Sequence, residues 1–304
     1  MEPSPEDCYR PPPEWAPREL PGAWGRESLR AITATPWEDA ERPRGRHALQ
    51  LHSLGTPNGF KVSILLEELL ESGCADAEYD AWLVNIKEGE QFSSGFLEIN
   101  PNATIPALLD YQTAGESGSS PTRVFESNAI LIYLAEKFKK FLPPVTGRAE
   151  VFSWVFWQAG AGPYFGFFNT YYTYWDQESA YLRDCVDRGT LEVKRSLSVL
   201  NVQLEKQESK SSTQTADERQ VVFVCSIGEP TIADFAIFPW IRSLRRREKV
   251  ATFLNFKSSE YAAIFRWCDR LESRPGVLRG LRVNAILDPN GIRERHSADD
   301  FKAS

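Results

Sequence analysis

Ala48-Leu-Gln-Leu-His-Ser53 alternates apolar and polar side chains with the period of a strand, and Gly55-Thr-Pro-Asn-Gly59 breaks the alternation with a turn. Beyond the turn, Val62, Leu65, Leu66, Leu69 and Leu70 recur three and one apart, which predicts a helix with a single apolar stripe that stops near Gly73. Tyr79–Val84 reads as a second strand, Gln91–Ile99 as a short helical region, and Pro106–Tyr111 and Arg123–Phe125 as two further strands. The Gly- and Ser-rich stretch Gln112–Thr122 separates those last two as a surface turn. Ser127 then opens a helix with Ile130, Leu131, Leu134 and Phe138 on one face, so the predicted order is β-α-β-α-β-β-α.

After Phe141-Leu-Pro-Pro144 the pattern is helical, with helices expected near 148–174, 178–206, 230–243 and 257–273. Ser209–Gln220 and the stretch beyond Asn284 read as polar loop or tail. Thr231-Ile-Ala-Asp234 has capping-box spacing, which fixes the start of one helix. Ahead of His47, nine of the 20 prolines fall in residues 1–46 beside Trp15, Trp24 and Trp37, a composition that builds no core of its own. The expected divisions are an extended arm over 1–46, an α/β domain over 47–142, an all-α domain over 147–283 and a tail over 284–304. The isolated tryptophans suggest that the arm packs on a folded surface, its own or a partner's.

With 42% hydrophobic residues, the 304-residue chain can fill two cores. Lys and Arg number 35 against 42 Asp and Glu, a net charge of −7, which argues against nucleic acid or an anionic membrane as the main partner. No apolar run reaches 18 residues, and the acidic, Pro-containing start does not resemble a secretory signal, so the expectation is a cytoplasmic protein. Cys8, Cys74, Cys185, Cys225 and Cys268 lie too far apart for a CxxC pair or zinc spacing, and His47, His52 and His296 form no HExxH; no metal site is expected. Any reactive group is therefore expected to arrive with a ligand. The one dense basic run, Arg242–Lys249, reads as a solvated helix end.

Chemistry concentrates in three places. Thr-Pro-Asn-Gly between strand and helix puts the Thr56 hydroxyl and the Asn58 amide at a helix N-terminus, where an anion such as a thiolate is stabilised. Lowering a thiol pKa from about 8.5 to about 6.5 needs roughly 2.7 kcal/mol of preference for the anion. One or two hydrogen bonds to a charged group, about 1.5–3 kcal/mol each, suffice. In Asn100-Pro-Asn-Ala-Thr-Ile-Pro-Ala107, a cis Ile105–Pro106 bond would turn the Ile105 backbone toward an extended peptide-like ligand, whereas a trans bond would simply start a strand. Phe125-Glu-Ser-Asn128 sets a carboxylate and a hydroxyl at a strand end and helix start, a pair that suits an α-amino-acid group.

TPNG, NPNATIPAL and FES in this order, with the long stretches LHSLGTPNGFKVSILLEELLESG, EYDAWLV, EGEQFSSGF and FESNAILIYLAEKF, resemble the glutathione transferase superfamily over roughly residues 30–275, and within it the Nu class with its fungal relatives. The resemblance implies an α/β thioredoxin-like N-terminal domain plus an all-α C-terminal domain, and a homodimer. It implies that Thr56 and Asn58 contact the glutathione sulfur, Gln91 the tripeptide backbone, and Ile105 the cysteinyl main chain beside Pro106, with Thr104 also among the glutathione-binding residues. Glu126 and Ser127 would hold the γ-glutamyl end, and Arg188 would reach a second glutathione. Thr104 stands where bacterial members have a lysine, and Asp184-Cys185 where the family has a tyrosine.

Residues 151–175 hold 12 aromatics, an excess that suits the wall of an apolar second-substrate site, with Tyr164, Phe165, Phe168 and Tyr171 as candidates. The expected function is glutathione-dependent disulfide-bond reduction, acting on a small disulfide or electrophile, with transferase or peroxidase side activity and one or two glutathiones per subunit. The alternative is a non-catalytic glutathione-binding regulatory protein.

Overall fold

The computed structural model describes residues 13–14, 36–112, 120–171, 180–212, 221–226 and 228–302, with the side chains of 167–171, 180–185 and 212 set aside. The alternating stretch forms strand β1 (Leu49–Ser53), joined by β2 (Tyr79–Leu83), β3 (Ala107–Asp110) and β4 (Thr122–Phe125). The sheet runs in the order β2-β1-β3-β4, with β1 parallel to β2 and antiparallel to β3, and β3 antiparallel to β4. Every residue of β1 is buried because both faces are covered. Leu49 and Leu51 join the core formed with helices α1 (Pro57–Glu71) and α3 (Ser127–Phe138). A smaller cluster of Val84, Phe96, Ile99 and Ala107 seats α2 (Ser94–Ile99). This is a thioredoxin-like arrangement.

The turn into α1 shows why Thr-Pro-Asn-Gly occurs there. Thr56 is extended and its Oγ1 accepts from the Gly59 N–H at 3.3 Å, while Pro57 occupies the first turn, where no donor is missed. At Gly59 a Cβ would lie 2.0 Å from the Leu54 carbonyl, so no other residue lets the chain turn this tightly. The helix ends at Ser72, followed by Gly73 with φ of 86°.

The C-terminal domain is mostly helical: α4 (Arg148–Tyr171), α5 (Ala180–Ser212), α6 (Ile232–Arg246), α7 (Glu248–Phe253), α8 (Ala262–Glu272) and α9 (Pro275–Gly280). The expected capping box opens α6: the Thr231 side chain accepts from the Ala233 N–H, and the Asp234 carboxylate accepts from the Thr231 N–H at 2.8 Å. Asp234 also accepts from the Val224 N–H and from Trp267 Nε1, each at 2.9 Å, so the cap anchors α8 as well. Helix α5 continues to Ser212, beyond the expected loop start at Ser209, and α7 and α9 add two short helices that the periodicity did not show. In the basic run, Arg242 pairs with Glu272 at 3.1 Å and Arg245 with Asp269 at 2.6 Å, so two of its cations pin α6 to α8 rather than simply facing solvent. No helix of the described residues is long and apolar enough to cross a membrane.

Two terminal segments pack on the thioredoxin-like domain. In the arm, Trp37 stacks on Phe92 with centroids 4.3 Å apart, and Gly89 leaves room for it, since a Cβ there would lie 2.3 Å from the indole. Arg42 donates to the Leu83 carbonyl at 2.8 Å, so residues 36–46 lie on their own chain; Trp15 and Trp24 fall outside the described residues. The stretch beyond Asn284, expected as a polar loop or tail, folds back instead. Arg295 exchanges backbone hydrogen bonds with Ala81, covering the outer edge of β2. Its side chain is 1% exposed and meets Glu67 at 2.8 Å, Glu78 at 2.9 Å and the Tyr79 carbonyl at 2.7 Å. Glu67 and Glu68, buried on α1, need such cations: Arg279 also reaches Glu67 at 2.8 Å, and Arg274 reaches Glu68 at 2.7 Å. The polar composition of the last segment is the complement of buried acids more than two hundred residues away.

Candidate active site

The N-terminus of α1 faces the second domain across a cavity of about 610 Å³. Asn58 from α1, Glu126 and Ser127 from the β4–α3 junction, Phe156, Gln158, Ala159, Gly162, Pro163 and Gly166 from α4, and Trp240 from α6 all line it. Trp240 Nε1 donates to Asn58 Oδ1 at 3.1 Å. An indole N–H can only donate, so it fixes the amide with its oxygen toward Trp240 and its NH2 turned away. Thr56 Oγ1 is occupied as the acceptor of the cap bond, which leaves its own hydrogen to donate outward.

At the other end of the cavity, Glu126 sits in the left-handed region with φ of 70°, a conformation unfavourable for a side chain of this kind, immediately before α3 begins at Ser127. Asn102 Nδ2 reaches both Thr104 Oγ1 and Glu126 Oε1 at 3.3 Å, tying the NPN loop to the carboxylate. The Ile105–Pro106 bond is cis, and the Ile105 N–H and C=O take no partner among the described residues. Below the cavity floor, Lys61 is 2% exposed; its Nζ donates to Ser127 Oγ at 3.2 Å, Asn128 Oδ1 at 2.9 Å and Gln158 Oε1 at 2.5 Å. Burial pushes its pKa down to about 7, against the opposing pull of Glu126.

A family model of the glutathione S-transferase N-terminal domain matches residues 49–136. Over 305 residues the chain is 41% identical to the disulfide-bond oxidoreductase YghU of Escherichia coli (strain K12), covering 98% of this chain and 97% of that protein. The chain belongs to the glutathione transferase superfamily, in its Nu-type branch. Two solved structures of this superfamily share its fold. The glutathione transferase YghU from Streptococcus pneumoniae, complexed with glutathione, is 38% identical with a TM-score of 0.76, covering 91% of this chain and 98% of that one. A glutathione transferase family member from Pseudomonas fluorescens, with two glutathione bound, is 35% identical with a TM-score of 0.62, covering 77% and 92%.

Seen as a glutathione transferase-like enzyme, the molecule brings some of the sequence-derived residues to one cavity and not others. Asn58, Glu126 and Ser127 share it, while Thr56, Thr104, Ile105 and Pro106 belong to the adjoining turns of the thioredoxin-like domain. Gln91 is buried in a turn, its Nε2 on the Ile86 carbonyl at 3.4 Å and its Oε1 without a partner. Arg188 is exposed on α5 and is not among the cavity residues. Phe165 does not form a wall: it is 0% exposed in the core, its ring 6.4 Å from that of Trp240, because its helical position faces inward. Tyr164 is 37% exposed, and the side chains of Phe168 and Tyr171 lie outside the described residues. The apolar wall of the cavity comes instead from Phe156, Ile132, Ala159, Pro163 and Trp240. Pro163 has no N–H to give the Ala159 carbonyl four residues back, so α4 lacks one intrahelical hydrogen bond where it lines the cavity. Trp240, Lys61 and Gln158 were not singled out from sequence; only the helical period marked their positions.

Proposed function

We propose that this enzyme is a glutathione-dependent disulfide-bond reductase. One observation carries the reading: a single cavity joins Asn58, at a helix N-terminus with its amide held donor-outward, to Glu126 and Ser127, a pair suited to an α-amino-acid end. Glutathione is the co-substrate and supplies the reactive thiol. Asn58 and Thr56 donate toward its sulfur and favour the thiolate, the unpaired Ile105 backbone receives its main chain beside Pro106, Gln91 and Thr104 flank the tripeptide, and Glu126 and Ser127 hold the ammonium and carboxylate of the γ-glutamyl group. The thiolate displaces one sulfur of the disulfide substrate as a thiolate, which takes a proton from water; a second glutathione thiolate then attacks the mixed disulfide, giving glutathione disulfide and the second thiol. Arg188 is the residue for that second glutathione. Two of the five protein thiols are poor nucleophiles, because burial pushes the Cys225 and Cys268 thiols far above their usual range.

The same thiolate, facing the apolar wall, supports transferase or peroxidase side activity on small electrophiles. The reading also carries a homodimer in the cytoplasm, which sedimentation and cell fractionation test. Turnover of 2-hydroxyethyl disulfide with glutathione, coupled to glutathione reductase, tests the main proposal alongside calorimetric titration of reduced and oxidised glutathione. Turnover that survives replacement of all five cysteines is expected. Binding without turnover would transfer the reading to a glutathione-binding regulator, and absence of binding would refute both.

A further inference from the structure

A buried ammonium normally sits against a carboxylate, because removing a charge from water is costly without an opposite charge beside it. Lys61 departs from that rule. Its three N–H donors go to a hydroxyl and two side-chain amide oxygens, all neutral. The only other charged group lining the cavity among the described residues is Glu126, which is exposed and makes no contact with it. The partners come from two parts of the site: Ser127 and Asn128 open α3, and Gln158 comes from α4 of the second domain. Asn128 Nδ2 donates in turn to the Val155 carbonyl at 2.8 Å and to Gln158 Oε1 at 3.1 Å, so the cluster is closed apart from two groups that remain free to face the cavity. These are the Ser127 hydroxyl hydrogen and the Gln158 NH2.

Because Ser127 Oγ accepts from Lys61, its own hydrogen is left to donate outward. The oxygen is also polarised by the ammonium behind it, which strengthens that donation. A positive charge one hydrogen bond beneath a donor, with no anion in contact, is the counterpart of a carboxylate arriving from the cavity. Glu126, one residue away, is the counterpart of an ammonium.

We propose that Lys61 is a positioning residue for the γ-glutamyl carboxylate of glutathione: it holds Ser127 as an outward donor, supplies the buried positive charge that the carboxylate neutralises, and so divides the recognition of the zwitterion between itself and Glu126. The inference rests on the glutathione reading above. It also explains the depressed basicity of the lysine, which lacks in the free protein the anion that the ligand brings.

The test compares two ligands by calorimetry: S-methylglutathione, in which the thiol is blocked, and its analogue with γ-aminobutyryl in place of the γ-glutamyl group, which keeps the amine and lacks the carboxylate. Wild-type protein at pH 6 should prefer S-methylglutathione by about tenfold or more, as expected for one charge-assisted hydrogen bond. In Lys61→Met the preference should shrink to about twofold while binding of the analogue is retained, with folding checked by circular dichroism. Where that variant does not fold, the wild-type protein decides. Its preference, corrected for the separately measured titration of each ligand's amine, should decline between pH 6 and pH 9 as Lys61 loses its proton. An undiminished preference in folded Lys61→Met, or a preference constant with pH in the wild type, overturns the assignment and leaves Lys61 a strut between domains. Failure of wild-type protein to bind S-methylglutathione at all overturns the glutathione reading and this proposal together.

Discussion

Replacing Asn58 by alanine is the sharpest perturbation of the sulfur-binding end. Trp240 Nε1 holds Asn58 Oδ1 at 3.1 Å, so the NH2 has one orientation before any ligand arrives. A preorganised hydrogen bond to a thiolate contributes about 1.5–3 kcal/mol, and at about 1.4 kcal/mol per unit its loss raises the pKa of the bound glutathione thiol by about 1–2 units. Trp240→Phe keeps the amide but releases it. Sharing two orientations costs roughly 0.4 kcal/mol, or about 0.3 unit, so the two variants should rank with Asn58→Ala well above Trp240→Phe and both above wild type. Ultraviolet titration of the thiolate in the saturated complex reads the three values directly, and disulfide turnover at neutral pH should fall in the same order. An unchanged thiol pKa in Asn58→Ala, with glutathione still bound, would show that the amide does not meet the sulfur and would remove the basis of the proposed chemistry.

Other expectations concern stability and its dependence on pH. Lys61 ordinarily titrates near 10.5 and in the fold near 7, so between those values the unfolded chain binds a proton that the native state lacks. Native stability should therefore rise as the pH increases through 7, approaching about 1.4 kcal/mol per pH unit, and urea melts at pH 7 and 9 should show Lys61→Met lacking about 2 kcal/mol of that gain. His52, fully buried with both ring nitrogens unpartnered, is pushed down to about 3 by burial and then by Arg42. It is charged first in the unfolded chain, so its contribution is intact above pH 6.5 and lost as the pH falls toward 3; His52→Leu should flatten that part of the acid-unfolding curve. Arg295→Met should destabilise by about 3 kcal/mol in urea, because Glu67 keeps only one of its two arginines, and adding Glu67→Gln should recover part of the loss; strict additivity of the two would contradict direct pairing.

What could be read from the chain in advance was local. The Thr56 cap, the capping box at Thr231 and the helix start at Ser127 depend on residues within four positions of one another, and their spacing announces them. Lys61 reaches Gln158 across 97 positions and Trp240 reaches Asn58 across 182. No periodicity encodes such a pairing, and each residue alone looks like an ordinary member of its helix. Phe165 shows the converse: an aromatic-rich stretch does not reveal which rings face a cavity and which fill the core, since the helix turns them to both sides. The return of Arg295 was hidden for another reason. Its segment lacks an apolar pattern, and its attachment is by charge and backbone pairing rather than by a stripe.

That return has a consequence for the order in which the molecule is made. Arg295 and Glu67 are separated by 228 positions, so a chain leaving the ribosome can shape β1, α1 and β2 early while Glu67 stays without Arg295 and the margin of β2 stays open until the whole helical domain and Arg295 have been translated. The N-terminal domain is begun before the helical domain and completed only after it. A chain released a few residues short of Arg295 would carry every residue of the cavity and still leave the sheet it stands on without its closing contact.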